Sequence, residues 1–501
     1  MRDKSFIYKK TSLLFAKIKL VFSMGKNNIF SFKSLVALSL VVTCLVNSVA
    51  FGISSNSKVL AAAVTPPVLP NIVETSSNQN LINGSEQIDD YNWYTSGVGT
   101  ESSPYLIKHG DELAALSRIV NGTVNSTFGI AKSDFNGKFI KLMSRGVAVN
   151  DNVIDLINYG GAFYWNDTEE VFSPKISQIG ENKGWMPIGN AAVNSFKGSF
   201  DGNNIEVSNL SAWCTADDNA RANFGLFGNV DFSASGSIKN LVLNRVQAKS
   251  TNVAANIGAV VGTGIFNVNN IAISNCSVKN TIPIANSSDF FLKTVMEDKD
   301  HATLGGIIGS AENIKIQNCK VDGTIELENK MVNVKSPVET GNKNAAEQGK
   351  GLGGIVGSLN VNSTLQDNDT NIVYNVKNNK TEFGYIGINT FFGGIVGITN
   401  NIGINILNNI SSVKLTANYS ANSVGVGGIV GGSGIVLLDA ATKINLTNNI
   451  ATTKVTINTK SYERDSKQSQ NVFFGGFGGI LGMNNADVAI LKCIANVDIN
   501  T

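Results

Sequence analysis

Residues that could carry acid–base or metal chemistry are few in this chain and far apart. The only two histidines, His109 and His301, are 192 positions apart. A histidine metal cluster or a two-histidine acid–base pair therefore cannot be built, and the chain has no His-Glu-x-x-His zinc motif. We predict no catalytic, cofactor-binding or metal-binding residue, no cofactor and no enzymatic activity.

Carboxylates give the strongest case for catalysis, because some β-helix proteins cleave polysaccharides with clustered acids beside Lys, Arg or His. Asp201 lies in a Phe-Asp-Gly-Asn stretch, which is ordinary turn chemistry, so we interpret it as structural. The other acidic groups lie in polar stretches where a solvated face is the default: Asp89 and Asp90, Asp217 and Asp218, and Glu297, Asp298 and Asp300 beside His301. The last group could bind a cation weakly, although a soluble loop is the favoured interpretation.

Four tryptophans precede the repetitive part of the chain: Trp93, Trp165, Trp185 and Trp213. Exposed indoles stack on sugars, whereas buried ones supply a large apolar area to a core. We expect burial.

The cysteines are too few for a disulfide-stapled scaffold. Outside Cys44 they are Cys214, Cys276, Cys319 and Cys493. If the chain folds as stacked coils, cysteines in neighbouring coils would lie about 4.8 Å apart with parallel Cβ directions, which is a poor geometry for a disulfide. If each repeat of about forty residues made two coils, that distance would double. We favour free thiols, and two bridged pairs are the alternative.

The first 50 residues read as a secretory signal peptide. They hold eight of the 40 basic residues and one of the 38 acidic residues, followed by an apolar run, Leu35–Val46, and small residues at Ser48-Val49-Ala50. The run is short for the roughly 20 residues of a membrane span, so we expect no stable span. The true start is Met1 or Met24. Lipidation at Cys44 is the weaker alternative.

The remaining 32 bases and 37 acids give a mature charge of −5, which disfavours nucleic-acid binding. The apolar fraction of 43% excludes wholesale disorder. Residues 51–90 contain Pro66, Pro67 and Pro70 among polar residues, and they read as a disordered linker.

A glycine box recurs seven times in the second half of the chain. The copies are Phe224–Gly228, Ile257–Gly262, Leu304–Gly309, Leu352–Gly357, Phe392–Gly397, Val426–Gly431 and Phe477–Gly482. Their final glycines are 34, 47, 48, 40, 34 and 51 residues apart. Variable spacing around a constant unit indicates insertion loops, which are visible as the polar tracts Asn286–Thr303, Glu328–Lys350 and Lys460–Gln470.

A second pattern follows each box and is clearest after Gly309. Ile314 and Ile316 share one strand face, and the inward set then becomes Cys319, Val321, Gly323, Ile325 and Leu327, with Lys320, Asp322, Thr324 and Glu326 outward. Asn318 marks a one-residue slip, at which the chain must turn or bulge to keep its apolar face inside.

The same slip recurs in other copies, where the inward position holds either Cys or Asn. The inward sets are Ile271, Ile273, Cys276, Val278, Ile282 and Ile284; Val488, Ile490, Cys493, Ala495, Val497 and Ile499; Ile404, Ile406, Asn409, Val413 and Leu415; and Ile444, Leu446, Asn449, Ala451, Val455 and Ile457. The repeat at Gly357 lacks a clear Asn-Cys slip. We expect the Asn and Cys side chains to stack at a corner, where amide ladders stabilise the stack.

Strict alternation and β-branched residues predict strands, and almost no helical period is present in the repeats. Each unit has one apolar face too small to bury alone, so the units must stack. The sequence therefore predicts an all-β fold: a parallel β-helix, or β-solenoid, built from glycine-box repeats.

The boxes followed by Ile-x-Ile-x-Asn-Cys resemble the GLUG motif of bacterial cell-surface proteins, and the resemblance covers roughly residues 91–501. Upstream, Glu101–Ile107 and Asp111–Leu116 resemble the segment that precedes such repeats, including its short helix. The stretches Gly137–Leu142, Gly184–Gly189, Phe196–Asn204 and Ile238–Leu243 follow in the family's order. The stretch Met143 to about Gly180 departs from the pattern. Such repeats also occur in large immunoglobulin A peptidases, whose zinc protease activity cannot be carried over here.

These observations predict a secreted bacterial surface or cell-wall protein that serves as a non-catalytic stalk or adhesion scaffold. The predicted organisation is a signal peptide at 1–50, a linker at 51–90, an N-terminal capping part of the solenoid at 91–215 and repeats at 216–501. Host or cell-wall glycans or proteins would bind through the insertion loops. The alternatives are a polysaccharide-cleaving β-helix enzyme and the front part of a larger surface protease.

At the C-terminus, Thr501 follows the last inward residue, Ile499, without a polar cap or a Leu-Pro-x-Thr-Gly sorting signal. A solenoid needs a cap over its last edge, so we expect that the chain can be part of a longer protein. The ligand and the oligomeric state stay open.

Overall fold

The structure is a computed structural model, and it describes most of the chain after Tyr91. The described residues are 91–124, 129–146, 149–156, 163–166, 171–174, 184–215, 222–251, 255–279, 292–296, 302–329, 350–378, 390–399, 403–418, 423–433, 443–458, 474–484 and 487–500. The predicted signal peptide, the linker and most of the three predicted insertions lie outside these ranges.

Four parallel sheets run through the described residues, numbered here in the order in which one coil visits them. Sheet 1 contains Asn223–Phe224, Ala255–Gly258, Ala302–Gly305, Lys350–Gly353, Thr390–Gly393, Ser423–Gly427 and Phe474–Gly478. Sheet 2 contains Phe227–Asp231, Val261–Ile265, Ile308–Ala311, Val356–Leu359, Val396–Thr399, Val430–Ser433 and Leu481–Asn484.

The other two sheets complete the coil. Sheet 3 contains Tyr105–Ile107, Phe139–Leu142, Ser199–Asp201, Ser237–Lys239, Ile273–Ser274, Lys315–Gln317, Thr364–Gln366, Ile404–Leu407, Lys443–Thr447 and Asp487–Leu491. Sheet 4 contains Val153–Asp155, Glu206–Ser208, Ser211–Thr215, Val242–Asn244, Gln247–Thr251, Ser277–Lys279, Leu292–Met296, Lys320–Asn329, Asp369–Asn378, Ile410–Asn418, Ile450–Asn458 and Ile494–Asn500.

Each repeat makes one coil, so the fold is the predicted β-solenoid. The coil that begins at Lys350 pairs in register with the next coil through Leu352 and Phe392 in sheet 1 and Val356 and Val396 in sheet 2. The possibility that a repeat makes two coils is therefore wrong. Parallel strands about 4.8 Å apart satisfy the backbone groups of every coil by bonding to the coils above and below.

A continuous apolar core lies inside the coils. The predicted inward residues Ile314, Ile316, Cys319, Val321, Ile325 and Leu327 are all buried. Lys320 and Asp322 are exposed, as the alternation predicts. Hydrophobic periodicity therefore identifies the inner face correctly in this repeat.

Two exposures differ from the prediction. Ile271, expected inward, is 46% exposed, because the chain turns at Asn267–Asn270 and the strand begins only at Ile273. Glu326, expected outward in solvent, is only 3% exposed; its strand is paired on both sides, with Lys293 and Asn375 as register neighbours.

The last described coil follows the inward register but leaves its apolar residues exposed. Ile490 pairs with the buried Leu446, yet Ile490, Val497 and Ile499 are exposed because no further coil covers them among the described residues. Ile282 and Ile284 lie outside the described residues.

The glycine box forms the corner between sheets 1 and 2, where backbones approach too closely for a side chain. A Cβ at Gly393 would overlap the carbonyl oxygen of Val396, and one at Gly394 would overlap the carbonyl oxygen of Gly428 in the next coil. The corner is completed by Tyr374, whose buried hydroxyl lies 3.0 Å from the carbonyl oxygen of Leu352 and 2.7 Å from that of Gly393 and donates its single hydrogen to one of them at a time. Steric need therefore accounts for the glycine at the Gly393 position, which is present in all seven copies of the box.

The predicted one-residue slip is a residue in the left-handed conformation between sheets 3 and 4. It is Asn318 in the clearest repeat, with a φ of 55°, and Asn275, Asn408, Asn448 and Lys492 elsewhere. The repeat at Gly357, in which the sequence shows no clear slip, has Asp367 at this position with a φ of 57°. Asp supports the left-handed conformation as Asn does, so this repeat keeps the same corner.

Immediately after the slip, an inner ladder of small side chains runs from coil to coil. Its members are Cys276, Cys319, Asn368, Asn409, Asn449 and Cys493. The Nδ2 of Asn368 donates to Oδ1 of Asn409 at 2.9 Å, and the Nδ2 of Asn409 donates to Oδ1 of Asn449 at 3.0 Å. Each Oδ1 also accepts the backbone N–H of the preceding ladder residue. The predicted stack of amides is confirmed, and Asn368 extends it.

The described cysteines, Cys276, Cys319 and Cys493, are free thiols. Cys276 and Cys319 are buried in adjacent coils. Burial raises the pKa of Cys319 well above its ordinary value, and its hydrogen bond with Cys276 acts in the same direction. The raised pKa favours the unreactive protonated form of Cys319. The side chain of Cys214 lies outside the described residues.

The predicted helix before the first coils is present as Gly110–Asn121. It begins after His109 and ends at Gly122, whose φ of 69° closes the last turn. Short 3-10 turns occur at Asn92–Thr95, Val149–Asn152 and Ala192–Asn194. Within the stretch that departs from the repeat pattern, Phe163–Asn166 and Val171–Pro174 form an antiparallel pair.

Replacing a box glycine should destabilise the solenoid. We expect Gly393→Ala to lower the unfolding free energy by more than about 3 kcal/mol, because its methyl group would meet backbone rather than a movable side chain. Gly137→Ala is the matched control, since Gly137 has φ 68° but open space around it, and it should cost only about 1–2 kcal/mol. Urea unfolding followed by circular dichroism measures both. Equal losses would contradict the steric explanation.

The inner ladder generates a second prediction. Asn409→Leu removes the amide that lies between Asn368 and Asn449. Buried hydrogen-bond donors and acceptors then lose their partners, and each unsatisfied group costs about 1–3 kcal/mol of stability. We expect a total loss of about 3 kcal/mol or more in urea unfolding. Asn371→Leu, on the exposed face of sheet 4, is the control and should change stability by less than about 1 kcal/mol. A ladder variant as stable as this control would show that the amides are dispensable.

Candidate binding cleft

The first coil is covered by a segment that does not repeat. The backbone N–H of Gly228 donates to the carbonyl oxygen of Ile188 at 2.9 Å, and that of Phe196 donates to Asn229 at 3.0 Å. The helix Gly110–Asn121 holds this segment in turn: the Nδ2 of Asn121 donates to the carbonyl oxygen of Pro187 at 3.0 Å. The first strand of sheet 2 is therefore not a free edge.

A cleft of about 670 Å³ lies where this covering segment meets the first two strands of sheet 2. Its walls come from four parts of the chain: residues 132–134 after the helix, residues 192–197 around a 3-10 turn, and the two strand ends Asn229–Asp231 and Thr263–Ile265. We call this feature the cap cleft.

One ammonium group links the two carboxylates of the cap cleft. The Nζ of Lys197 lies 3.3 Å from Oδ2 of Asp134 and 3.7 Å from Oδ2 of Asp231. The Nζ of Lys132 donates to Oδ1 of Asn194 at 2.6 Å and to the carbonyl oxygen of Val193 at 3.2 Å. Two positive and two negative side chains therefore line the cleft, and their formal charges cancel.

Asp231 is held in its ionised form. Partial burial raises the pKa of its carboxyl group, but hydrogen bonds from Ser233 and the charge of Lys197 outweigh burial and lower the pKa overall. Its Oδ1 accepts the Ser233 hydroxyl at 2.6 Å and the Ser233 backbone N–H at 3.1 Å. A carboxylate in this state can accept hydrogen bonds but is poorly suited to donate a proton as a general acid.

The hydroxyl groups of the cap cleft are engaged with neighbouring groups of the protein. The Oγ of Ser195 donates to Ala192, that of Ser133 accepts the backbone N–H of Phe135, and the Oγ1 of Thr263 donates to Ser310. None of the residues that line the cleft is a histidine. The arrangement supports binding of polar ligands, and it lacks the paired nucleophile and base of acyl-transfer sites.

Asp201 has the structural role that its turn sequence predicts. Its Oδ1 accepts the backbone N–H of Asn203 and the Nδ2 of Asn240, both at 2.9 Å. Asp201 thus closes a turn and begins an outer amide ladder between sheets 3 and 4.

The other residues singled out in the sequence do not form a common site. His109 precedes the helix, and its backbone N–H donates to Oε2 of Glu112 at 3.0 Å. Trp93 and Trp185 are buried, as predicted, and Trp185 donates from Nε1 to the carbonyl oxygen of Leu226. The remaining candidates lie outside the described residues or have undescribed side chains: Asp89, Asp90, Trp165, Trp213, Asp217, Asp218, Glu297, Asp298, Asp300 and His301.

Two absences hold for the described part of the chain. No group of three or more His, Cys, Asp or Glu side chains is placed there to hold a metal ion. No described helix is long and apolar enough to cross a membrane.

No family model and no curated protein matches the sequence, so the resemblance to GLUG repeats stays a prediction. A crystal structure of a putative immunoglobulin A1 protease from Bacteroides ovatus aligns with a TM-score of 0.38 and 14% identity, covering 77% of this chain and 86% of that one. A likeness this distant supports no inference about function.

The electrostatics of the cap cleft can be tested by titration. Both Lys197→Met and Ser233→Ala should raise the pKa of Asp231, because each removes a group that stabilises its charge. Because folding lowers this pKa, the stabilisation from Asp231 is present above its unfolded pKa of about 3.9 and is lost as the pH falls through the folded value. NMR of 13Cγ-labelled aspartate measures the shift.

Lys320→Met is the matched control, because Lys320 is exposed on sheet 4 and takes no part in the cap cleft. Its substitution should leave the Asp231 titration unchanged. An Asp231 signal that titrates at the same pH in all three variants and in the parent protein would contradict the assigned cause.

Proposed function

We propose that this chain is a secreted bacterial surface protein whose solenoid is a non-catalytic stalk and binding scaffold. The observation that carries the proposal is the state of the carboxylates in the cap cleft: Asp134 and Asp231 share the ammonium group of Lys197, and the pKa of Asp231 is lowered. Ion-paired acids of this kind favour binding over proton transfer.

The stacked coils support a role as a stalk. Ten strands of sheet 3 at about 4.8 Å spacing give a body roughly 43 Å long. Its coils are joined by four backbone ladders and by the amide ladder at Asn368, Asn409 and Asn449. Such a body is stiff along its axis and can hold a binding surface away from an anchoring point.

A general acid would need a raised pKa and a place in the cleft. Burial raises the pKa of Glu112, although hydrogen bonds from the backbone of Lys108 and His109 oppose the shift. Glu112 stands at the start of the helix and does not line the cap cleft. Its position fits helix capping, which favours the scaffold over the polysaccharide-cleaving alternative.

Export is part of the proposal and rests on the sequence at 1–50, with its basic start and the apolar run Leu35–Val46. A location on the cell surface or in the cell wall follows from export together with the resemblance to surface repeats. Host or cell-wall glycans or proteins are the proposed partners.

Two measurements test the proposal: the location of the protein in fractionated cells, and its enzymatic activity on polysaccharides and peptides. Immunoblots of fractionated source cells, with an antibody raised against the segment 328–350, should place the protein in the cell-wall fraction or the medium. Protein recovered there should release neither reducing ends from polysaccharides nor new amines from peptides. An exclusively cytoplasmic band, or turnover that disappears in Asp231→Asn, would overturn the proposal.

A further inference from the structure

We propose that the cap cleft is a binding site for neutral oligosaccharides. The inference rests on the proposed role as a non-catalytic binding scaffold and gives that role a place and a ligand class. It also moves the ligand contact from the insertion loops, where the sequence suggested it, to the junction between the covering segment and the first coils.

The charge of the cleft favours an uncharged ligand. Lys132 and Lys197 balance Asp134 and Asp231, so the cleft presents no excess charge of either sign. A phosphate, a uronate or a polyamine would meet as much repulsion as attraction there. The balance of charges does not weaken the binding of a neutral polar ligand.

The polar groups suit hydroxyl groups in particular. The 3.7 Å separation between Lys197 Nζ and Asp231 Oδ2 is an ion-pair distance but is longer than a hydrogen bond. A sugar hydroxyl can accept from the ammonium group and donate to the carboxylate, so that it satisfies both partners at once. Oδ1 of Asp231 is already held by Ser233, which fixes the orientation of the acceptor.

Two exposed aliphatic side chains add an apolar contact. Val193 is 84% exposed and Ile265 is 59% exposed, and both line the cleft. Their methyl groups can cover the C–H face of a pyranose ring while its hydroxyls face the charged residues. A volume of about 670 Å³ lies within the roughly 300–1,000 Å³ of small-ligand sites.

An extended peptide is the less favoured occupant, because no free strand edge faces it. The outer edge of Phe227–Asp231 is already bonded to the covering segment: the backbone N–H of Gly228 donates to Ile188, and that of Asp231 donates to Phe196 at 2.9 Å. A peptide therefore could not gain the main-chain bonds of strand addition there.

The test is a binding measurement on the full protein. Chitotriose, maltotriose and cellotriose serve as probes, each titrated by calorimetry and followed by saturation-transfer NMR. At least one should bind, and both Asp231→Asn and Lys197→Met should weaken its affinity about tenfold or more. Val193→Glu, at a highly exposed position that tolerates substitution, should also weaken binding by blocking the cleft.

Asp322→Asn, on the exposed face of sheet 4, is the matched control and should bind like the parent protein. An eight-residue Thr-Val peptide tests the alternative occupant. Failure of all three sugars to bind, sugar binding that survives the three cleft variants, or binding of the peptide alone would overturn the inference while leaving the scaffold role intact. Cleavage of a bound sugar would instead overturn the scaffold role and leave the site in place.

Discussion

The close approach of backbones at the glycine box determines much of this structure. At Gly393 and Gly394 the next strand and the next coil lie where a Cβ would stand, so these two positions of the corner between sheets 1 and 2 admit no side chain. That tight corner directs Ile395 and Val396 into the core, and both are buried. Once the corner is fixed, the register of each coil follows from the coil before it, because parallel ladders bond residue to residue.

The inner ladder shows how one position can hold two chemically different side chains. Asn409 satisfies its amide by bonding up and down the stack, so its burial costs little. Cys319 has a weaker donor and few hydrogen-bonding needs, and it occupies the equivalent place as a small apolar group. Where a cysteine of the ladder is followed by an asparagine in the next coil, the backbone N–H of Cys319 donates to Oδ1 of Asn368 at 2.9 Å. A short, compact side chain is the shared requirement.

The solenoid could be predicted from the sequence because its determinants are local and repeated. Period-two alternation identified the buried face at Ile314 and Ile316, and the slip at Asn318 was visible as a change of phase. The slip at Asp367 was missed because Asp-Asn replaces the expected Asn-Cys, although the backbone conformation is the same. The burial of Glu326 was missed because alternation gives only the direction of a side chain, whereas its burial depends on the neighbouring strands.

The cap cleft was not predictable in the same way, since its residues come together only through the fold. Lys132 and Asp134 precede the first full coil, whereas Lys197 and Asp231 lie on the covering segment and on the first strand of sheet 2, with no spacing that marks them as a group. A solenoid of equal coils presents flat, repeating faces, so a concave site requires a place where the repetition fails. Here the non-repeating turn at Ala192–Asn194 meets the first coils, and this break in regularity creates the cleft.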